Sequence, residues 1–386
     1  MRHSFPASSR RRTAGMSLIE MMVAIAIGLV LITIMSVVYI NSKQASRRVD
    51  QISGLQQSVR AAFEYIGFDA RMVGHLGCFT RHDGLVVQAG ATLANNFAIG
   101  IEGYEFTGTA PSGTYTLTAN LPTDITTATS WTNSSGTTTP SLPLTGIAGA
   151  SAGLTPGSDV VILRSVGIGK PVRLTAAVAG GTATSIPIEN TSTGSCPNGT
   201  ANVSGFCDGS YGVIASCTAA QAFQVNTAGA NLAISTPLQG SQVYAVNATE
   251  VFPIQTVAYY VKRSSNGTTT SLYRRVMDGA QNQEQELIEG VENMQVRYAI
   301  DTDSEPDGIV NGDFVTANNV GDWSRVLAVR VSLLIRGNTA IEAALAPASG
   351  VSNQVRLIYP TTGDRFDRRV FTTTVALRNR ISYPMP

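Results

Sequence analysis

The stretch of sequence that decides the fold is residues 15–40, which read GMSLIEMMVAIAIGLVLITIMSVVYI. After Gly15 the run is uniformly apolar apart from a few small polar residues, and Glu20 is its one charged residue. As an α-helix, the run from residue 16 to 40 would be about 37 Å long, enough to cross a bilayer. Four arginines and no acid precede it, so the positive-inside rule keeps its N-terminal end in the cytoplasm. The rest of the chain is then expected across the membrane.

Two simpler explanations of this stretch are a cleaved secretory signal and a plain signal anchor. A secretory signal has a short apolar core that ends at a small-residue cleavage site. This run is too long, and no such site follows it in residues 41–43. A signal anchor fits the hydropathy but does not explain Glu20, because an acid costs about 2.5–3.5 kcal/mol at the bilayer centre. A carboxylate in apolar surroundings needs a cationic partner.

The helix is predicted to continue beyond the membrane to about Val73. Apolar residues recur there at spacings of three and four, which is typical of an amphipathic helix. One helix over residues 16–73 would be about 87 Å long, and its second half is expected to pack on the chain's own globular domain. The apolar stripe consists of Val49, Ile52, Leu55, Val59, Phe63, Ile66, Ala70 and Val73.

The pattern changes after Gly74, where short β-branched runs between turn residues predict an antiparallel sheet. No sustained alternation of strand and helix indicates a parallel α/β fold. The predicted class is therefore α+β, with a long N-terminal helix packed on an antiparallel β-sheet domain. The clearest strand candidates are residues 159–163, 257–261, 294–298 and 326–335.

The composition of the chain excludes some classes of protein. The chain has 386 residues, and its 27 Lys and Arg against 26 Asp and Glu do not suggest nucleic-acid binding. With 43% hydrophobic residues it is not a disordered chain.

Two long segments of the domain are nearly free of charge. Residues 106–158 hold one charged residue and residues 174–249 hold two. These Thr-, Ser-, Gly- and Asn-rich segments are predicted to be surface insertions or weak strands.

The four cysteines allow three disulfide pairings. The predicted topology puts them in an oxidising compartment, where disulfides are favoured over metal ligands. Cys196 and Cys207 bracket a turn-rich loop that they could close, which leaves Cys78 to pair with Cys217. That second bond would tie the end of the helix to the sheet.

Residues 301–313, DTDSEPDGIVNGD, form an acidic loop in the last third of the chain. Oxygen ligands at two-residue spacing can hold Ca²⁺, and the candidates are Asp301, Asp303 and Asp307. Pro306 interrupts the EF-hand pattern, and no glutamate closes the loop. A calcium site and a solvated turn both remain open, and no other cofactor is expected.

Catalytic signatures are absent from the sequence. It has no G-x-S-x-G, no H-E-x-x-H and no phosphate-binding glycine loop. Histidine is scarce, and His75 and His82 come just past the predicted helix, where packing or surface roles are expected. The sequence therefore predicts a protein that is not an enzyme.

The N-terminal motif GMSLIE resembles the processing site of type IV prepilins and pseudopilins. That pattern is a basic leader ending in glycine, then an aromatic residue or methionine, with glutamate as the fifth residue of an apolar stretch. The resemblance implies cleavage by a prepilin peptidase between Gly15 and Met16, followed by N-methylation of Met16. It also implies that Glu20 pairs with the N-terminal amine of a neighbouring subunit.

Processing of this kind divides the chain into three parts. They are a leader over residues 1–15, a pilin helix over 16–73 with its transmembrane part over 16–40, and a periplasmic domain over 74–386. The leader carries four arginines, so its removal changes the net charge from +1 to 1 − 4 = −3.

The C-terminal half resembles the PilW-type minor pilins. The matching stretches are residues 271–275, residues 286–296 and the ending at 368–380. Residues 215–217 resemble the family's cysteine-bearing strand, which supports a Cys78–Cys217 bond. Residues 304–306, Ser-Glu-Pro, stand where relatives often have a glycine-rich acidic loop, and this departure weakens the calcium interpretation.

The resemblance implies a non-enzymatic minor pilin that primes assembly of a type IV pilus and is incorporated in it or at its tip. Such proteins reside in the inner membrane before assembly and support pilus biogenesis, twitching motility and adhesion. Implied partners are other minor pilins, the major pilin, the inner-membrane assembly platform, the prepilin peptidase and a tip adhesin. The alternatives are a minor pseudopilin of a type II secretion system and, with an uncleaved leader, a membrane-anchored periplasmic enzyme or binding protein.

Overall fold

A computed structural model of the chain describes residues 15–79, 84–87, 94–118, 131–133, 153–167, 171–191, 194–197, 199–280, 282–340, 348–360 and 366–380. Most of the predicted leader therefore lies outside the described residues, as does His82. So does much of the predicted insertion over residues 106–158.

The predicted N-terminal helix is a single α-helix, α1, over Leu18–Met72. Its bounds lie within two residues of the predicted 16–73. The chain divides into two compact units, Met1–Gly54 and Leu55–Pro386, so the second unit begins nineteen residues before the predicted domain boundary at Gly74. The last third of α1 belongs to this unit because its apolar side chains form part of the β domain's core.

Twenty strands follow in the described residues. They are β1 (Leu85–Val86), β2 (Ile101–Phe106), β3 (Thr114–Thr116), β4 (Trp131–Thr132), β5 (Val160–Val166), β6 (Val172–Arg173), β7 (Val178–Ala179), β8 (Ser185–Pro187), β9 (Tyr211–Ser216), β10 (Ala220–Thr227), β11 (Asn231–Ile234), β12 (Val243–Tyr244), β13 (Thr249–Arg263), β14 (Thr270–Met277), β15 (Asn282–Glu289), β16 (Val291–Ile300), β17 (Val326–Ala340), β18 (Ser349–Ser352), β19 (Val355–Ile358) and β20 (Phe366–Ala376).

The largest sheet is organised around β13. Its strand order is β4-β2-β5-β13-β9-β10-β11-β8, and β1, β6, β14 and β15 pair onto this path. The first part of β13 pairs with β9 and the second part with β5 and β14. Strand pairing is antiparallel, as predicted, except for the short parallel pairs β1–β10 and β3–β19.

Smaller sheets complete the domain. A three-stranded sheet has the order β16-β17-β20, another has the order β18-β19-β3, and β7 pairs with β12. Three of the four strand candidates from the sequence fall within observed strands, namely β13, β16 and β17, and the fourth, 159–163, begins one residue before β5. The α+β class is thus confirmed, with one long apolar helix followed by antiparallel sheets.

The amphipathic stripe of α1 is buried from Leu55 onward. Val59, Ile66 and Ala70 are at most 3% exposed and pack in one cluster with side chains of β13, β16 and β17. Val49, which the periodicity placed in the same stripe, is 65% exposed. The stripe therefore packs on the domain over its last five turns only.

For the segment 174–249 the structure agrees with the second of the two predictions, weak strands, and not with a surface insertion. Its described residues form strands β7 to β12 around a separate apolar cluster that includes Ile186, Phe206 and Phe223. Apolar residues from several of these strands fill this core. The described parts of 106–158 also enter a core, because Trp131 and Leu154 are at most 1% exposed.

Candidate assembly site on the N-terminal helix

The first unit presents a continuous apolar surface. Every large apolar side chain from Met16 to Ile40 is between 51% and 80% exposed. A contiguous apolar surface of this extent is unstable in water and marks a membrane or protein contact. Within the described residues, α1 is the one helix long and apolar enough to cross a membrane.

Uncharged polar side chains inside this span are satisfied by the helix itself. The Thr33 hydroxyl donates to the Leu29 carbonyl oxygen at 2.8 Å, and the Ser36 hydroxyl donates to the Ile32 carbonyl oxygen at 2.8 Å. Such bonds to the preceding turn let Ser and Thr lie in an apolar environment without an unpaired group. Glu20 is the one charged side chain of the span.

Glu20 lies in the first turn of α1, directly after the predicted cleavage site. Residues Gly15 to Ser17 are not helical, are exposed, and lead into the helix. The Glu20 carboxylate has no hydrogen bond or ion pair among the described residues. Cleavage after Gly15 would create an ammonium group at Met16, about one helical turn before Glu20. Gly15, Met16 and Glu20 therefore lie together on an accessible helix start.

The opposite end of α1 holds a buried charge. Asp69 is 2% exposed, and its Oδ2 accepts hydrogen bonds from the Tyr259 hydroxyl at 2.5 Å and from Arg274 Nε at 2.8 Å. Its Oδ1 accepts a bond from Arg274 Nη2 at 3.1 Å. Asp69 thus joins the helix to β13 and β14 through a paired and hydrogen-bonded charge.

Asp69, Tyr259 and Arg274 together form what we call the Asp69 anchor. Their mutual charges and their burial set complementary protonation states. Burial raises the pKa of the Tyr259 hydroxyl well above its ordinary value, and the negative charge of Asp69 raises it further. Burial lowers the pKa of the Arg274 guanidinium, but Asp69 more than compensates and leaves that pKa above its ordinary value. Tyr259 therefore keeps its proton and donates a hydrogen bond to Asp69, while Arg274 carries the positive charge.

The end of α1 is fixed by two further contacts. Asn379 Nδ2, just after β20, donates to the carbonyl oxygen of Arg71 at 2.9 Å. Cys78 is bonded to Cys217, which follows β9. Cys196 and Cys207 form the second disulfide in the low-charge segment. Both disulfides are the pairs that the sequence analysis favours.

A second buried charge cluster joins the large sheet to β16. Arg297 Nη1 lies 2.9 Å from Glu105 Oε2 and 3.7 Å from Asp159 Oδ2, and all three side chains are at most 5% exposed. Asp159 also accepts bonds from the backbone amides of Phe106 at 3.0 Å and Val296 at 2.8 Å. One arginine therefore serves two buried carboxyl groups.

Burial and this shared partner set the protonation of the pair. Burial raises the pKa of the Glu105 carboxyl well above its ordinary value, and the neighbouring Asp159 raises it further. Burial also raises the pKa of Asp159, to about 6, although Arg297 and the two backbone amides oppose the change. These shifts favour the protonated form of Glu105, which hydrogen-bonds Asp159. Their closed surroundings give the cluster a structural role.

The acidic loop brings its three predicted ligands together. One carboxylate oxygen from each of Asp301, Asp303 and Asp307 lies within 4.8 Å of the others. Burial raises the pKa of Asp301, but hydrogen bonds from the backbone amides of Gly308 and Asp303 leave it below its ordinary value. Asp303 Oδ2 accepts a bond from the Asn311 side chain at 3.1 Å. These oxygens are the donor type that Ca²⁺ prefers, and they already stabilise the turn.

The sequence did not identify Asp69, Tyr259, Arg274 or Asn379 as positioning residues. The one available signal was a charged residue on the apolar face of the helix, since Asp69 lies between Ile66 and Val73 at helical spacing. Its partners are about 190 and 205 residues further along the chain, beyond what a local pattern indicates.

Two family models match the chain. Residues 10–36 match the prokaryotic N-terminal methylation motif, which includes the predicted cleavage site and Glu20. Residues 258–379 match the Type IV Pilus-assembly protein W, from within β13 to the turn after β20. No curated protein matches the chain.

These matches, together with the exposed apolar helix, support a type IV pilin. The C-terminal match supports the PilW type within that class. Pilin-family domains imply a structural, non-enzymatic protein. The apolar helix and the methylation motif indicate membrane anchoring and association with a pilus.

Proposed function

We propose that the chain is a minor pilin that primes type IV pilus assembly and is incorporated in the pilus or at its tip. The observation that carries this proposal is Glu20, an unpartnered carboxylate at the start of an exposed apolar helix. An unpaired carboxylate in an apolar span is energetically costly, and a cationic partner from a second subunit would offset that cost.

Assembly begins in this proposal with cleavage between Gly15 and Met16 on the cytoplasmic face and N-methylation of Met16. The new ammonium group of one subunit pairs with Glu20 of the next, which draws the incoming helix out of the membrane in register. The globular domain lies in the periplasm before assembly and on the cell surface afterwards. Its partners are the other minor pilins, the major pilin, the assembly platform and a tip adhesin, and motility and adhesion depend on the finished fibre.

The decisive experiment is mass spectrometry of the mature N-terminus. We expect a chain that begins with N-methyl-Met16 in a strain with an active prepilin peptidase. A strain without the peptidase should retain the leader and serves as the control. An uncleaved leader in both strains would instead support a membrane-anchored periplasmic protein.

A second candidate, a minor pseudopilin of a type II secretion system, shares the N-terminal features. The match of residues 258–379 to a pilus-assembly family favours the pilus. Deletion of the gene separates the two functions, since we expect loss of surface pili and twitching with normal secretion. The reverse phenotype would assign the chain to secretion.

A further inference from the structure

The sheet β16-β17-β20 has two outer edges, of which one is covered by other residues of the chain and the other has no strand partner among the described residues. Residues before β5 cover the outer edge of β16, where Met294 N donates to Ser158 Oγ at 3.2 Å and Val296 N to Asp159 Oδ2 at 2.8 Å. The outer edge of β20 has no strand partner among the described residues. An uncovered edge presents a row of unpaired backbone donors and acceptors.

The register shows which backbone groups this edge offers. The Leu377 amide donates to the Leu327 carbonyl oxygen at 2.8 Å, in line with the pairing of Thr373 with Val331. In an antiparallel ladder, alternate residues bond to the same neighbour, so Thr373 directs its N–H and C=O toward β17. Thr372 and Thr374 therefore direct theirs to the free edge, and both side chains are exposed.

The second half of this edge lacks the usual protection against strand pairing, because the charges of β20 are confined to residues 367–369 at its start. Residues 370–376 read VFTTTVA and contain no charge, no proline and no glycine. Natural edge strands are commonly blunted by charges, proline or bulges. The edge strand β15 of the large sheet shows the contrast, because its sequence NQEQELIE carries three glutamates.

A groove beside β20 suits the side chains of an added strand. It has a volume of about 820 Å³ and is bounded by α1 on one side and by Phe371 and Thr372 on the other. Phe68, which is 49% exposed, lines the groove together with Val59 and Phe63. The helix thus adds apolar surface next to an edge that offers backbone hydrogen bonds.

The rim of the groove carries a positive excess. Arg60 and Arg71 line it with one carboxylate, Glu64, and all three side chains are exposed. Neither arginine has an ion-pair partner in the part of the chain that the structure describes. A partner with a carboxylate would complement this rim.

We propose that β20 accepts an extended, carboxylate-bearing strand from a different pilus subunit. The strand pairs with Thr372 and Thr374 through its backbone, places alternate apolar side chains in the groove, and sets its carboxylate against Arg60 and Arg71. Strand addition of this kind takes affinity from backbone hydrogen bonds and specificity from pockets for alternate side chains. The proposal rests on the proposed function and adds the chemistry of the partner.

The test replaces one edge amide without touching the β17 ladder. Thr374→Pro removes an N–H that faces outward, a position where edge strands tolerate proline, and Thr374→Val keeps that N–H. The full chain is produced in cells, and its copies in sheared pili are counted against its amount in the membrane. We expect Thr374→Pro to lower incorporation about tenfold, with the mature N-terminus and Tm unchanged, and Thr374→Val to behave as the native chain.

A charge arm tests the chemistry of the partner. The double variant Arg60→Glu with Arg71→Glu should lower incorporation about tenfold. The double variant Arg60→Lys with Arg71→Lys should retain native incorporation. Native incorporation of either the proline or the glutamate variant would overturn the proposal. A dimer of the full chain in detergent that Thr374→Pro dissociates would also overturn it, by assigning the edge to a second copy. Absence of the native chain from pili would instead contradict the proposed function.

Discussion

The two ends of α1 each carry a carboxylate in apolar surroundings, and the two carboxylates are treated in opposite ways. Asp69 is buried in the second unit and receives bonds from Tyr259 and Arg274 of the same chain. Glu20, in the first unit, is exposed and has no ion pair among the described residues. Asp69 has its cationic partner within the fold, whereas Glu20 lies among apolar side chains and has no cationic partner among the described residues.

This difference separates folding from assembly along one helix. A buried ion pair gives little net stability, but removal of one partner leaves an uncompensated charge that is strongly destabilising. The Asp69 anchor is therefore needed for the β domain to hold the helix. Glu20 contributes nothing of this kind within the chain, so its effect should appear only when subunits meet.

The largest effect of a single substitution on stability is expected for Asp69→Ala. The substitution leaves Arg274 buried without its carboxylate and should lower the free energy of unfolding by about 3–5 kcal/mol. Glu64→Gln, on the exposed side of the same helix, is the matched control and should change it by less than about 0.5 kcal/mol. Thermal and denaturant unfolding of the full chain in detergent would measure both. Equal stability of the two variants would contradict the anchor.

The disulfides extend the comparison to the end of the helix. Replacing Cys78 and Cys217 with serine opens a loop of sequence separation 139 and should cost about 4–5 kcal/mol in the chain-entropy account. Opening the Cys196–Cys207 loop, with separation 11, should cost about 3 kcal/mol. Unfolding of the two double variants under non-reducing conditions tests this order. A greater loss from the shorter loop would show that the helix end is held by other contacts.

Glu105 and Asp159 are an intermediate case, in which two carboxyl groups share Arg297. The pKa of Asp159 is raised to about 6 and that of Glu105 is raised well above its ordinary value, so the fold keeps protons that the unfolded chain releases near pH 4. The stability that these protons give is present below about pH 4 and falls as the pH rises through the folded pKa of each group. Glu105→Gln keeps the neutral hydrogen bond to Asp159 and has no proton to lose. We therefore expect the variant to gain about 1–3 kcal/mol relative to the native chain between pH 5 and 8. Parallel stability curves over that range would refute the shared proton.

The smallest effect is expected in the acidic loop, where one carboxylate oxygen from each of Asp301, Asp303 and Asp307 lies within 4.8 Å of the others. Calcium bound there would raise the Tm by RT ln(1 + [L]/Kd) divided by the unfolding entropy, a few degrees at most. Asp303→Ala should abolish the increase. An identical Tm in Ca²⁺ and in a chelator would leave the loop as a hydrogen-bonded turn.

Local patterns predicted the parts of the fold that depend on local physics. The ends of α1 and the strands β5, β13, β16 and β17 follow from apolar periodicity and β-branched runs. For the low-charge segment 174–249, local patterns left surface insertions and weak strands open, because a core built from isolated apolar residues such as Phe206 has no local period. At the site, Gly15, Met16 and Glu20 form a contiguous motif that the sequence displays directly. The partners of Asp69 could not be predicted, since no local rule selects Arg274 at a distance of 205 residues.

The most direct test of the central claim compares native and Glu20→Ala chains in the same cells. The measurement is the number of mature copies in sheared pili per copy in the membrane, with the N-terminal mass recorded for both. We expect both chains to begin with N-methyl-Met16 and to unfold at the same Tm, but incorporation of Glu20→Ala to fall about tenfold or more. Normal incorporation of Glu20→Ala would contradict the assignment of Glu20 to contacts between subunits.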